Sequence, residues 1–151
     1  MKKSLTSFAD DGSLNTVVNN MLTGNSEISL SGTVTWSAFG VIGYENTAAA
    51  PTFVNQNVIP FNLTLRNLAF YAKAPIGAGK TAIVTIYKSE DAGATWQATT
   101  LTATIVEGDQ YQIDTTHVVS FNQGDLVAIG YISTGGAISS SFSTSVKETA
   151  A

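Results

Sequence analysis

The residues of this sequence that could perform chemistry are few and widely spaced. His117 is the only histidine, and there is no cysteine, so a thiol nucleophile and a disulfide framework are excluded and a zinc site would lack ligands. A Ser-His-Asp triad is formally possible, but no serine lies in the G-x-S-x-G turn that presents such a nucleophile. We therefore expect His117 to be structural, the protein not to be an enzyme, and no cofactor to be needed.

The carboxylates near predicted turns are the next candidates: Glu107, Asp109, Asp114 and Asp125. Calcium binds such oxygen ligands, but no spacing here matches a known calcium loop, so turn formation is the better interpretation. A glycosidase needs two carboxylates facing each other across a cleft, and nothing in the pattern supports that arrangement. The sequence therefore predicts no metal site.

Residues 74–81, APIGAGKT, fit a relaxed phosphate-loop pattern with alanine in place of the first glycine. A phosphate cradle requires a helix N-terminus directly after the loop. The residues that follow, 83–87, are instead typical of a strand. We expect a plain hairpin loop here and no bound nucleotide.

Composition narrows the class of protein. The 151 residues suit one domain, and charged residues are only 12%, about half the roughly 25% usual for globular proteins. The net charge of −4 argues against nucleic-acid binding. Residues 4–11 do not form the apolar region of a signal peptide, and no run approaches the length of a membrane span. We expect synthesis in a host cytoplasm without a signal peptide, and no membrane partner.

Alternation of apolar and polar residues predicts an all-β protein. The clearest pattern is a hairpin over 81–105, with turn residues between two β-rich runs. Residues 62–72 alternate with one inserted residue, which predicts a β-bulge near Arg66 and Asn67. With further strands over 28–37, 117–121, 126–133 and 137–146, the sequence predicts an antiparallel, jelly-roll-like β-sandwich of about eight to ten strands over 26–147, and a frayed tail at 148–151.

Residues 1–25 differ from the rest and predict a short arm or amphipathic helix. Ser13 could cap such a helix, and Gly24 could end it. Its apolar face would carry Leu14, Val17, Val18, Met21 and Leu22. Three interpretations stay open: a helix that covers the core of the β-domain, an arm that docks on another subunit, or disorder.

Four aromatic residues are candidates for ligand binding by stacking: Trp36, Tyr44, Trp96 and Tyr111. Trp36 shares a face with apolar residues and is expected in the core, and Trp96 is expected in a turn cluster. Tyr44 and Tyr111 remain candidates for stacking on a surface glycan.

The segment 89–96, SEDAGATW, resembles the Asp-box of sialidases and other propeller proteins. Its matching residues are Ser89, Asp91, Gly93, Thr95 and Trp96. In that family the motif stabilises a hairpin turn and is not catalytic. Sialidases carry several copies, whereas this chain has one copy and a single arginine, so a propeller is not expected.

The order of features from residue 59 to residue 135 resembles a jelly-roll-type domain of bacteriophage and other viral structural proteins. The likeness rests on the strand at 63–71, the glycine-rich loop, the hairpin, and Gly124-Asp125 before the apolar strand 126–129. The resemblance implies a capsid decoration protein, head fibre or tail-fibre head, often a homotrimer. No coiled-coil stalk precedes the domain.

Two functions follow as hypotheses. The leading one is a non-enzymatic virion structural protein that associates with itself and docks through its N-terminal segment on another virion protein. The alternative is a carbohydrate- or receptor-binding β-sandwich module for host attachment.

Overall fold

Two antiparallel β-sheets packed face to face form the body of the protein. The computed structural model describes residues 7–8, 14–15, 20–28, 34–39, 49–52, 55–136 and 138–148. Their strands are β1 (Ser7–Phe8), β2 (Leu14–Asn15), β3 (Asn20–Ile28), β4 (Thr35–Ser37), β5 (Asn57–Val58), β6 (Leu63–Ala72), β7 (Thr81–Ser89), β8 (Gln97–Val106), β9 (Tyr111–Phe121), β10 (Leu126–Thr134) and β11 (Ile138–Glu148).

The strand order is that of a jelly roll. One sheet runs β3-β11-β6-β9, and the other runs β4-β10-β7-β8, with β5 also paired to β10. Leaving out the two-residue strands, the first, eighth, third and sixth strands form one sheet, and the second, seventh, fourth and fifth form the other. The predicted fold class is confirmed. The short pair β1-β2 forms a separate two-stranded sheet.

The hairpin predicted over 81–105 is formed by β7 and β8, which pair from Thr81 opposite Val106 to Lys88 opposite Gln97. β7 lies in the interior of its sheet between β10 and β8, whereas β8 is its terminal strand. Only the first arm of the hairpin is therefore central.

An apolar layer between the sheets forms the core. Side chains alternate across each strand, so alternate residues of β7, β8 and β10 face inward, as do those of β6 on either side of its bulge. Phe70 of one sheet meets Tyr131 of the other edge to face, with ring centroids 5.4 Å apart. The fully buried large side chains are Tyr131, Phe70, Phe121, Leu65, Leu68, Ile86, Leu101, Ile105, Ile129, Val84 and Val127. Each contributes about 1.5–3 kcal/mol by leaving water, so this layer dominates the stability of the fold.

The bulge predicted in β6 is confirmed. In the pairing of β6 with β11, the step from Ser143 to Ser145 lies opposite the longer step from Ala69 to Arg66, so β6 carries one extra residue. Asn67, within that step, has a φ of 55°. Asparagine tolerates this left-handed conformation better than most residues. The shift lets Leu65 and Leu68 both face the core, although they are three positions apart.

The helix predicted near the N-terminus is wrong where the structure describes that segment. Leu14 lies in β2, and Met21 and Leu22 lie in β3, which pairs with β11 over nine residues. Val17 and Val18 lie outside the described residues. A helix of about ten residues is marginal by itself, and the ladder with β11 supplies a partner that local periodicity does not reveal.

Three further predictions of segment limits differ from the structure. β3 spans residues 20–28 and therefore crosses the predicted limit at residue 25. The strand predicted over 28–37 is divided: β3 ends at Ile28 in one sheet, and β4 begins at Thr35 in the other. β11 extends to Glu148, the first residue of the predicted tail, and residues 149–151 lie outside the described ranges.

Trp36 is buried as predicted, but on the outer face of its sheet. It pairs with Gly130 of β10 and meets Tyr87 edge to face, with ring centroids 4.6 Å apart. A side chain on Gly130 would overlap the Tyr87 ring, with its Cβ 2.9 Å from Cδ2 and 3.2 Å from Cζ3 of Trp36. Glycine at position 130 is therefore required for the two rings to close over β10.

We expect Gly130→Ala to destabilise the protein by about 1–3 kcal/mol, because the added methyl must displace the Tyr87 ring. Gly77→Ala is the matched control, since a Cβ there meets no atom within 4 Å and should change stability by less than about 0.5 kcal/mol. Denaturant unfolding of both variants checks this. Equal stability of the two variants would contradict the packing described for Trp36 and Tyr87.

Candidate functional site

Two tyrosines stand side by side on the outer face of the β3-β11-β6-β9 sheet. Tyr71, near the end of β6, is directly opposite Tyr111, the first residue of β9. Their side chains therefore project from the same face, as cross-strand partners do. Tyr71 is 47% exposed and Tyr111 is 53% exposed. The pair is an accessible aromatic surface, which we call the tyrosine pair.

Gln110 holds one of the two rings in place. Its Nε2 donates to the hydroxyl of Tyr71 at 2.8 Å and to the carbonyl of Lys73 at 3.3 Å. The backbone carbonyl of Gln110 accepts the backbone N–H of Ala72 at 2.8 Å. These bonds fix the Tyr71 ring relative to the sheet before any ligand arrives.

The bulge in β6 explains why Tyr71 faces solvent. After the irregularity at Asn67, Leu68, Phe70 and Ala72 are buried, so the residues between them point outward. Tyr111 is a candidate from the sequence, whereas Tyr71 is not. The alternation after the bulge could have marked Tyr71 as outward-facing, but its pairing with Tyr111 depends on the register of β6 with β9. Tyr44, the other candidate, lies outside the described residues.

The loops beside the tyrosine pair are bound to each other. The N–H of Ile76 donates to the carbonyl of Asp109, and the N–H of Gly108 donates to the carbonyl of Ile76, both at 2.8 Å. The N–H of Gly79 donates to Glu107 Oε2 at 2.8 Å. In the segment that resembles a phosphate loop, one backbone N–H is thus already bound to a carboxylate of the protein. The segment is followed by strand β7, which begins at Thr81, and not by a helix. These features do not form an anion cradle.

At the opposite end of the sandwich, the Asp-box-like segment forms the turn between β7 and β8. The hydroxyl of Ser89 donates to Asp91 Oδ1 at 2.8 Å and accepts the N–H of Gly93 at 2.9 Å. Thr95 donates to Asp91 twice, from its N–H to Oδ1 at 2.8 Å and from its hydroxyl to Oδ2 at 2.6 Å. Asp91 therefore organises the backbone of the turn.

Gly93 lets this turn approach β10, since its φ is 90° and a Cβ there would lie 3.4 Å from Leu126 Cδ1. The hydroxyl of Thr95, then its N–H, then the hydroxyl of Ser89 lower the pKa of Asp91 from 3.8 to about 2. Such bonds favour the ionised carboxylate. The turn is thus a structural clasp that depends on a charged Asp91.

Lys88 joins this turn to the neighbouring one. Its Nζ lies 2.6 Å from Glu90 Oε1 and 3.0 Å from Asp125 Oδ2, and donates to the carbonyl of Ser120 at 3.1 Å. The Lys88 side chain is 16% exposed and that of Asp125 is 9% exposed. Burial acts to lower the pKa of Lys88, but hydrogen bonds and charge attraction from Glu90 and Asp125 outweigh it and raise the pKa. Lys88 therefore stays protonated and acts as a cross-link, not as a base.

His117 and Asp114 lie at an irregularity of β9. Asp114 accepts the backbone N–H of Thr116 at 3.0 Å, of His117 at 3.1 Å, and of Thr102 in β8 at 3.2 Å. Burial opposes ionisation of Asp114, yet these bonds and the His117 side chain together lower its pKa. Because an ionised carboxylate only accepts, Nδ1 of His117 donates to Asp114 Oδ2 at 2.8 Å. Asp114 of β9 thus forms a hydrogen bond to β8 in the other sheet, and the His117 side chain forms a hydrogen bond to the same carboxylate.

Asp125, another of the candidate carboxylates, also stabilises the backbone. Asp125 Oδ2 accepts the N–H of Asn122 at 2.7 Å, in the turn between β9 and β10. Within the part of the chain that the structure describes, no three His, Asp or Glu side chains gather as a metal site would require. Nor do the described residues include a helix with the length and hydropathy of a membrane span.

Replacing Asp91 by asparagine should destabilise the protein most at neutral pH. The folded-state pKa of Asp91 is lowered, so its contribution to stability is complete above pH 3.8 and is lost as the pH falls through about 2. The difference in unfolding free energy between wild type and Asp91→Asn is therefore expected to shrink over that interval. Denaturant titrations of both proteins at stepped pH measure it, and a difference independent of pH would contradict the clasp.

Comparison with known proteins finds no relative of this chain. The chain matches no protein-family model, no curated protein and no solved structure. Its function therefore has to be inferred from the fold and from the surfaces described above.

Proposed function

We propose that this protein is a non-enzymatic virion structural protein, a capsid decoration or fibre-head subunit. It acts by self-association, as a homotrimer, and by docking on a neighbouring capsid or tail protein. The observation that supports this proposal best is the jelly-roll order of the eight sandwich strands. This architecture is shared by viral capsid domains and by lectins, so it favours a protein that works through its surfaces.

The charge content supports an assembly role. Charged residues are 12% of the chain and the net charge is only −4, so copies can pack together with little like-charge repulsion. The described carboxylates that accept backbone N–H groups, Asp91, Asp114, Asp125 and Glu107, stabilise turns and loops. They are thereby committed to the fold and not to a reaction.

The segment before β3 supports a docking arm. It contains β1 and β2, which pair with each other and belong to neither sheet of the sandwich. Fully extended, 19 residues would span at most about 65 Å; the pairing of β1 with β2 shortens this reach but leaves a segment that can contact a neighbouring subunit. Because Met21 and Leu22 belong to β3, the candidate docking residues are reduced to Leu14, Val17 and Val18.

Light scattering tests self-association directly. We expect the full chain to have a mass of about 47 kDa, three copies of a 15.8 kDa chain. A monomer at every concentration would contradict the self-association proposed here. Immunogold electron microscopy of particles released by lysis of source cells, with an antibody against this chain, tests the virion assignment, and unlabelled particles would contradict it.

A truncated chain that begins at Asn20 tests the arm. It keeps all of β3, so we expect the circular dichroism spectrum of a folded β-protein together with loss of binding to the parent particle. A chain that begins at Gly24 is the matched control, because it removes four residues of the β3-β11 ladder and should be less stable. Full particle binding by the chain that begins at Asn20 would refute docking through this segment.

A further inference from the structure

We propose that the tyrosine pair is a carbohydrate-binding site that takes an uncharged pyranose ring of an oligosaccharide. This role goes beyond a structural function in the virion and does not depend on it. It rests on the geometry of Tyr71, Tyr111 and Gln110, three residues at the junction of β6, β9 and the loop that precedes β9.

The pair offers the two kinds of contact that a sugar needs. A pyranose has an apolar face of C–H groups and a rim of hydroxyls. Half-exposed tyrosine rings provide an apolar surface with a polar tip, and Gln110 brings an amide group to the hydroxyl of Tyr71. Binding sites of this kind combine aromatic walls with a few placed polar groups that set orientation.

The site is organised in advance. β6 and β9 are paired through Tyr71 and Tyr111, and the bonds from Gln110 to Tyr71 and Lys73 tie ring, loop and strand together. The Tyr71 ring therefore loses little further freedom when a ligand binds, which lowers the entropic cost of association.

The size of the patch favours a sugar over a second copy of the chain. Two tyrosines that are each about half exposed present on the order of 200 Å², against the roughly 800 Å² per partner of a stable protein interface. The other large exposed apolar residue of β9 is Val118, at 56%. It lies beyond the irregularity between Asp114 and Val118, so it does not extend the aromatic surface continuously.

The chemistry around the pair favours an uncharged sugar. The neighbouring cross-strand partners on the same face are Ala69 and Ile113, which carry no charge. The hydrogen-bonding side chain at the rim is the amide of Gln110. An acidic sugar would require cationic groups that face it, and none of the four sheet residues nor Gln110 is cationic. Lys73 meets Gln110 through its backbone carbonyl and not through its ammonium group. Glucose, galactose and their N-acetylated forms are the classes that fit.

A glycan array probed with labelled full-length protein is the first test, followed by titration of the best oligosaccharide by calorimetry. We expect weak binding per site, about millimolar, increased on the array by multivalency. Tyr71→Ala and Tyr111→Ala should each weaken binding at least about tenfold, because each removes a stacking surface. Tyr71→Phe keeps the ring but loses the bond from Gln110, so it should weaken binding less than Tyr71→Ala does.

Phe61→Ala is the matched control. Phe61 is 39% exposed and precedes β6, whereas Tyr71 is near its other end, about 30 Å away at the rise of a strand. This variant should bind as wild type does. All variants should keep their melting temperature within a few degrees, about the effect of a surface substitution.

Three outcomes would overturn the site: no glycan bound at millimolar concentration, binding unchanged in both tyrosine-to-alanine variants, or a drop in solution mass caused by Tyr111→Ala. The last outcome would make the pair a subunit interface. A monomer that binds a glycan through these tyrosines would support the site while contradicting the proposed homotrimer, so the two proposals can fail separately.

Discussion

The bulge at Asn67 is the constraint on which both the core and the outer surface of this protein depend. If β6 had no bulge, its side chains would alternate regularly along the whole strand. Because Leu65 faces the core, Asn67 and Ala69 would then face the core as well. The extra residue, in a left-handed conformation at φ 55°, moves Leu68 and Phe70 inward instead. The same shift turns Tyr71 outward to its position opposite Tyr111, so one backbone irregularity serves packing and the candidate site together.

Carboxylates stabilise the turns and loops at both ends of the sandwich. Asp91 and Asp125 accept backbone N–H groups in turns at one end, and Glu107 does so in a loop at the other. Asp114 joins the N–H of Thr102 to the irregular part of β9. Hydrogen bonds to charged groups are stronger than neutral ones, so a chain with few charges gains rigid turns by placing them at these positions.

The rigid sandwich leaves two surfaces with different proposed roles. The N-terminal segment precedes β3 and is not part of either large sheet where it is described, which suits contact with a neighbouring protein. The tyrosine pair lies on an outer sheet face, held by Gln110, which suits contact with a small ligand. A subunit that assembles through one surface and binds sugar through the other would combine virion structure with host attachment.

The sequence by itself determined the β-class, the hairpin, the bulge and the turn residues, because these depend on period-two alternation and on local preferences of Gly, Asn and Asp. It misplaced residues 20–24, since their strand character comes from the pairing of β3 with the distant strand β11. It also misplaced residues 14–15, which pair with Ser7 and Phe8. It also placed Trp36 in the core, although its burial comes from Tyr87 and Gly130 on the outer face. The partner of Tyr111 was decided only by the tertiary structure, because the register of β6 against β9 joins residues 40 positions apart.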